Sequence, residues 1–256
     1  MTDRICLVTG ASRGIGRQLA TDLANEGNEV IFIARDASLL DHAVRSVAIS
    51  SPRSRSAPCD VRDGAQVARV VRDVLQQSGH IDVLVNAAGI ERVAQVSEME
   101  VSEVAEVMDT NFMGMVRFTK AVLPDMLERR SGSIVNLSST AGRVPLPRGA
   151  AYCATKAAIT AFSESLYLEV AKQGVQVLIV YPGFVPDTEM AQAHIRLQGA
   201  PPRAVHQSLE TVSKRIRESI GTRRFQLTLP PWVALSSIAK DLAPRLVLSY
   251  AAKTQG

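Results

Sequence analysis

Short apolar runs alternate along this chain with longer stretches whose apolar residues recur at helical spacing. The runs fall at residues 4–9, 29–34, 55–61, 81–86, 132–138, 175–181 and 223–229. Alternation of this kind predicts parallel strands joined by right-handed helical crossovers, hence a doubly wound, Rossmann-like α/β sheet of about seven strands with helices on both faces. In such a sheet ligands gather beyond the carboxyl ends of the strands, where Gly10, Asn86, Ser139 and Pro182 all fall. Residues far apart in sequence thereby converge on one candidate site.

The first run leads straight into Gly10-Ala-Ser-Arg-Gly14-Ile-Gly16 and then into a helical pattern through Leu19, Ala20 and Leu23. Glycines at such a turn let the backbone approach a pyrophosphate, while the helix N-terminus aims unpaired N–H groups and its dipole at the anion. The spacing is Gly-x-x-x-Gly-x-Gly rather than the commoner Gly-x-Gly-x-x-Gly, so the turn alone does not define a dinucleotide site.

Tyr152 and Lys156 stand four apart and share one face of a helix. A phenol titrates near pH ~10, and a fixed ammonium beside it favours the phenolate, so the expectation is a tyrosine lowered into the range of a usable acid and base. Ser139, thirteen positions earlier at the end of an apolar run, is placed to hold a substrate oxygen. On its own, Tyr-x-x-x-Lys is a weak signal, far more often an ordinary helix surface pair.

In this order and at this separation the two motifs resemble the short-chain dehydrogenase/reductase family. Asn86-Ala-Ala-Gly89, Asn111 in a helical stretch and Pro182-Gly183 extend the resemblance over residues 4 to about 190. It implies an oxidoreductase that exchanges a hydride between nicotinamide and a ketone/secondary alcohol pair, with the cofactor carrying the redox chemistry. It implies Tyr152 as acid/base, Lys156 as both the cation that lowers the tyrosine pKa and a ligand of the nicotinamide ribose, and Ser139 as donor to the substrate oxygen. Asn111 would hold a water that relays protons to Lys156. Gly10, Ser12, Arg13, Gly14, Ile15 and Gly16 would cradle the cofactor phosphates, Asp60 and Val61 would flank the adenine, Asn86 and Ala87 would contact the cofactor, and Gly89 and Ile90 would border the nicotinamide side. Pro182, Gly183, Val185 and Thr188 would complete the site, Thr188 contacting the carboxamide, although Pro186 adds one residue to the family's usual spacing.

Cofactor choice rests on the end of the second strand. An NAD site usually carries an acidic side chain there, whereas a 2'-phosphate needs cations and rejects a carboxylate. In Ile31-Phe-Ile-Ala34-Arg35-Asp36 the strand-end position is Ala34, followed by Arg35, and Arg13 supplies a second cation, so NADP(H) is expected. A shift of one residue would bring Asp36 into play and reverse the argument.

With 256 residues and 46% hydrophobic content, the chain reads as one domain, 1–256. No segment reaches the ~18 apolar residues of a membrane span, and the N-terminus lacks a signal core, so the expectation is a cytoplasmic protein. The charge of +4 is dispersed and only 4% of residues are aromatic, which offers no stacking platform for nucleic acid. Cys6, Cys59 and Cys153 read as reduced, buried thiols, no His/Cys cluster suggests a metal, and no histidine is given a role.

Residues 184–222, interrupted by Gly199-Ala-Pro-Pro202, read as two helices joined by a turn, and the resemblance makes them the substrate lid. Their Arg196, Arg203, Lys214, Arg215 and Arg217 fit either a solvated face or an anionic substrate. The tail, 230–256, suits a docking helix, an oligomer contact or a peripheral membrane contact, with Pro244 limiting helix length. The expected assembly is a homodimer or homotetramer. Apolar Val93, Val144, Leu146, Phe184 and Val185 would line a pocket whose entrance carries Arg92, Arg143 and Arg148. The expectation is therefore NADPH-dependent reduction of a hydrophobic ketone, or its reverse. A 3-oxoacyl-thioester reductase and a non-catalytic NADP-binding sensor or partner protein remain as alternatives.

Overall fold

The computed structural model describes residues 3–254; residues 1–2 and 255–256, the extremities of the 1–256 and 230–256 spans, lie outside the described residues. Each apolar run supplies a strand: β1 (Ile5–Thr9), β2 (Glu29–Ala34), β3 (Arg55–Pro58), β4 (Val83–Asn86), β5 (Gly132–Leu137), β6 (Val175–Pro182) and β7 (Gln226–Leu229). All pair in parallel in the order β3-β2-β1-β4-β5-β6-β7. The chain winds outward from β1 to β3, then returns to β4 on the other side of β1. This reversal opens a crevice beyond the carboxyl ends of β1 and β4, where register sets Thr9 against Asn86.

Helices α1 (Gly14–Asn25), α2 (Ala37–Val47) and α8 (Leu209–Arg217) cover one face, and α3 (Gly64–Ser78), α5 (Gly114–Arg129) and α6 (Ala150–Val170) the other. The strands are buried on both sides, so alternate residues serve separate cores. Cys6, Val8, Val30 and Phe32 meet Leu19, Leu23, Leu40 and Ile216, whereas Leu7, Ile31, Leu84 and Ile134 meet Val70, Val74, Phe118 and Leu166.

Strand ends differ locally from the predicted runs. The 55–61 run stops at Pro58, whose ring has no N–H for a ladder, and Cys59 N donates to Ala34 O at 2.8 Å before Asp63 caps α3. The 81–86 run narrows to Val83–Asn86: Ile81 N is taken by the Asp125 carboxylate, while the Asp82 backbone already bonds Ile5 O and Ser133 N at 2.9 and 2.8 Å.

Residues 184–222 contain two helices with a short 3-10 turn between them, as the turn residues predicted: α7 (Glu189–Gln198) and α8. They differ in character. Helix α8 buries Val212 and Ile216 in the core against α1, and its cations face carboxylates, Arg217 joining Glu26 and Asp22, and Arg215 joining Glu218. Only α7 leans toward the crevice. The tail forms α9 (Ala234–Leu242) and α10 (Pro244–Thr254), split just before Pro244, with Leu235, Ile238, Leu242 and Leu246 exposed. Among the described residues no helix is long and apolar enough to cross a membrane.

Candidate active site

The crevice is built first by close backbone approach. Gly10 holds φ +69°, and a Cβ there would lie 2.8 Å from the Ala87 carbonyl oxygen; one on Gly16 would lie 2.4 Å from Gly10 O. Arg13, before α1, gives no side-chain cap, so the first-turn N–H groups of that helix are left for an anion. Thr9 joins the two loops: its hydroxyl donates to Val85 O at 3.3 Å and accepts from Ala87 N and Ala88 N at 3.1 and 3.2 Å. These glycines and free N–H groups fit a dinucleotide pyrophosphate, with Ser12 in the turn and Gly14 and Ile15 opening α1.

Strand β2 ends at Ala34, as the cofactor argument required. Arg35 is exposed beyond it, and the Asp36 carboxylate is committed to capping α2, accepting from Ser38 Oγ at 2.7 Å and Leu39 N at 3.1 Å. Those bonds, the serine's first, hold its carboxyl below the usual range. Arg13 pairs with Glu189 in the first turn of α7. Asp60 takes a two-pronged bond from Arg62, which lowers its pKa, with Val61 beside it.

The Asn86 amide is turned into the protein, donating to Asn136 Oδ1 at 2.8 Å and Thr119 Oγ1 at 3.3 Å; its own oxygen is buried without a partner among the described residues. Ala87 and Gly89 follow. A Cβ on Gly89 would sit 3.4 Å from Asn111 Oδ1 and 3.9 Å from Lys156 Nζ, so these three residues share one small space. Asn111 lies in a π turn, Asp109–Met113, between α4 (Val101–Met108) and α5. Its amide accepts from Ile90 N at 2.8 Å and donates to Ile90 O at 2.9 Å and Thr155 Oγ1 at 3.1 Å. The side chain thus clamps the loop after β4.

Ser139, just past β5, accepts from Ala141 N at 3.1 Å and hydrogen-bonds the Tyr152 hydroxyl. Ser138 fastens the same strand end to α6 by donating to Lys156 O at 2.8 Å. Lys156 is buried, and its ammonium donates to Leu137 O at 2.7 Å while lying 5.4 Å from the centre of the Tyr152 ring. Burial lowers its pKa to about 8.

The predicted effect of this ammonium on the tyrosine is corrected by the structure. Burial pushes the Tyr152 phenol above its ordinary value, Glu91 adds to the rise, and the Ser139 bond opposes it. The ammonium lies over the ring face and is bonded to a carbonyl, so it does not offset the burial. At neutral pH Tyr152 is a phenol, ready to give a proton.

The arginines expected at the entrance have partners within the protein. Arg143 stacks 3.5 Å from the Tyr181 ring centre and bonds Gln226 and Thr228, Arg92 pairs with Glu106, and Arg148 donates to Leu197 O. Each is occupied by the protein itself. Pro182 ends β6, Gly183 N donates to Leu229 O at 2.6 Å, and Val185 is buried. Thr188 caps α7, accepting from Ala191 N at 3.1 Å and donating to Val185 O at 3.0 Å.

Sequence reasoning passed over Thr9, Asn136, Ser138 and Thr155. Their only signal was a polar side chain inside or just beyond an apolar run, or, for Thr155, on the tyrosine helix. It also passed over Glu91 and His194, which meet at the crevice 3.3 Å apart.

The short chain dehydrogenase pattern matches residues 4–198. The 3-oxoacyl-[acyl-carrier-protein] reductase of Staphylococcus aureus is 39% identical over 180 residues, 70% of this chain and 73% of that protein. Among solved structures, an actinorhodin polyketide ketoreductase with NADPH is 30% identical with a TM-score of 0.81, covering 89% of this chain and 97% of the other. A short chain dehydrogenase/reductase from Burkholderia phymatum in complex with NAD is 25% identical with a TM-score of 0.85, covering 96% and 95%. With the pattern spanning β1 through α7, and Ser139, Tyr152 and Lys156 assembled at the ends of its strands, this chain belongs to the short-chain dehydrogenase family and is an oxidoreductase acting on carbonyl and alcohol groups.

Proposed function

We propose that the protein is an NADPH-dependent reductase of hydrophobic ketones, in which Tyr152 delivers the proton. The observation that carries this reading is the placing of Tyr152 beside Ser139 and over the buried Lys156. When bound, the dinucleotide supplies the two electrons and one hydrogen that reduce the carbonyl carbon. Ser139 and Tyr152 hold the carbonyl oxygen between two hydroxyls. As charge gathers on that oxygen, the phenol proton moves to it and the alcohol forms. A proton then returns to the phenolate, Lys156 serves as a ligand of the nicotinamide ribose, and the Asn111 clamp fixes Gly89 and Ile90 beside it.

Arg35, exposed at the end of β2, supports NADPH over NADH, since a guanidinium suits a 2'-phosphate and Asp36 is occupied as a cap. Arg13 adds a second cation if it exchanges Glu189 for the phosphate. Gly10, Ser12, Gly14, Ile15 and Gly16 hold the pyrophosphate, Asp60 and Val61 border the adenine, and Asn86, Ala87, Gly89, Pro182, Gly183, Val185 and Thr188 enclose the nicotinamide half. Within the single domain 1–256, α7 acts as the substrate lid over Val93, Val144, Leu146 and Phe184. A cytoplasmic homo-oligomer is the setting that fits best.

The likeness to a 3-oxoacyl-[acyl-carrier-protein] reductase supports a second reading, reduction of a carrier-linked thioester. Against it, the arginines that would meet an acidic carrier are engaged internally. The test is NADPH oxidation across a panel of ketones of rising apolar bulk and a 3-oxoacyl thioester. Rates that climb with bulk support the ketone reading; turnover confined to the thioester overturns it.

A further inference from the structure

A buried carboxylate stands in the catalytic crevice with no part in the reaction described above. Glu91 follows Ile90, whose N–H and carbonyl are both gripped by Asn111, so its backbone is fixed beside Gly89 and Lys156. Its side chain is 10% exposed. Oε1 faces His194 Nδ1 at 3.3 Å, and His194, 7% exposed on α7, lies edge-on to Phe184 at 6.0 Å between ring centres. Among the described residues Oε2 has no hydrogen-bond partner.

The groups that feel the Glu91 charge are His194 on α7 and Tyr152, Cys153 and Lys156 on α6. Arg92, next in sequence, turns away to Glu106. His194 faces only one of the two carboxylate oxygens, and Oε2 keeps some exposure, so it stays reachable. That oxygen is left to a donor that enters with the substrate.

We propose that Glu91, held in place by His194, is a specificity-determining residue of the site, its free carboxylate oxygen accepting a hydrogen bond from a hydroxyl or amino group on the carbon next to the reacting carbonyl. The same carboxylate repels a substrate bearing an anion at that position. This inference rests on the ketone-reductase reading and names the substrate class within it. Because the lid helix carries His194, closure of α7 and orientation of Glu91 are one event.

The experiment compares a matched pair of hydrophobic ketones, with and without a hydroxyl on the adjacent carbon, using NADPH and the full chain. A hydrogen bond to a charged group is worth about 1.5–3 kcal/mol, so wild type is expected to favour the hydroxyketone in kcat/KM by about 10- to 150-fold. Glu91→Gln is expected to shrink that ratio by about tenfold, and Glu91→Asp to recover part of it. In the alcohol-oxidation direction, Glu91→Gln also moves the rising limb of the pH profile to lower pH, because the charge opposing the phenolate is gone. A merely structural tie between α7 and the loop would lower thermal stability without changing the hydroxyketone preference, so that ratio is the deciding readout. A wild-type ratio near one, with both ketones reduced, overturns the Glu91 assignment and leaves the reductase reading standing; that result needs no variant to fold. Reduction of neither ketone removes both.

Discussion

Asn111 grips Ile90 by both backbone polar groups, accepting from its N–H at 2.8 Å and donating to its carbonyl at 2.9 Å. One side chain from a π turn thereby fixes the loop that carries Gly89 and Glu91 into the crevice, and Thr155 on the tyrosine helix fixes the amide in turn. Replacing Asn111 with Ala strands a part-buried N–H and a part-buried carbonyl. Each costs about 1–3 kcal/mol, so Asn111→Ala is expected to lower unfolding free energy by at least that amount and to reduce kcat as well. Denaturant unfolding checks the first part; unchanged stability would show that the clamp is dispensable.

Cofactor preference turns on one guanidinium. Arg35→Ala is expected to raise KM for NADPH about 10- to 150-fold, the loss of one charge-assisted phosphate contact, while barely altering KM for NADH. Asp36→Ala removes the cap of α2 and is expected to cost about 1 kcal/mol of stability without altering the preference. Equal effects of Arg35→Ala on both cofactors, or a switch caused by Asp36→Ala, would assign the ribose to Asp36 instead.

The buried lysine has a pH signature. Burial holds Lys156 at about 8, against 10.5 for an ordinary lysine, so between these values the unfolded chain binds a proton that the folded one has released. Stability contributed by this group therefore rises with pH across that window, and below pH 8 its buried charge is a cost. Lys156→Met removes the term. Its stability relative to wild type is expected to be most favourable below pH 8 and to decline toward pH 10.5, although its activity falls. Melting temperatures of both proteins across pH 6–11 test this, and the thiols and phenols common to both largely cancel. A constant difference would contradict it.

The sheet was legible in the chain because strands buried on both faces are written as continuous apolar runs, and the crevice followed from where those runs end. Strand ends were less so: Pro58 ends the 55–61 run and the Asp125 carboxylate takes Ile81 N, contacts that no periodicity records. Tyr152 and Lys156 were found by their spacing, yet spacing says nothing of where an ammonium points. The Leu137 carbonyl takes it, and burial governs the phenol. Likewise the arginines near the crevice carried the right charge for an entrance, but their partners Glu106, Tyr181 and Gln226 come from other elements. Glu91 and His194 lie 103 positions apart, and only the folded chain brings them together.

The central claim is that the Tyr152 phenol gives the proton that completes reduction. It is tested most directly by the turnover of Tyr152→Phe with NADPH and a ketone that wild type reduces, alongside direct measurement of NADPH binding. The phenylalanine ring fills the same space without the hydroxyl, so binding is expected to persist while kcat falls by about 10²- to 10⁴-fold. Turnover close to wild type would remove Tyr152 from the chemistry.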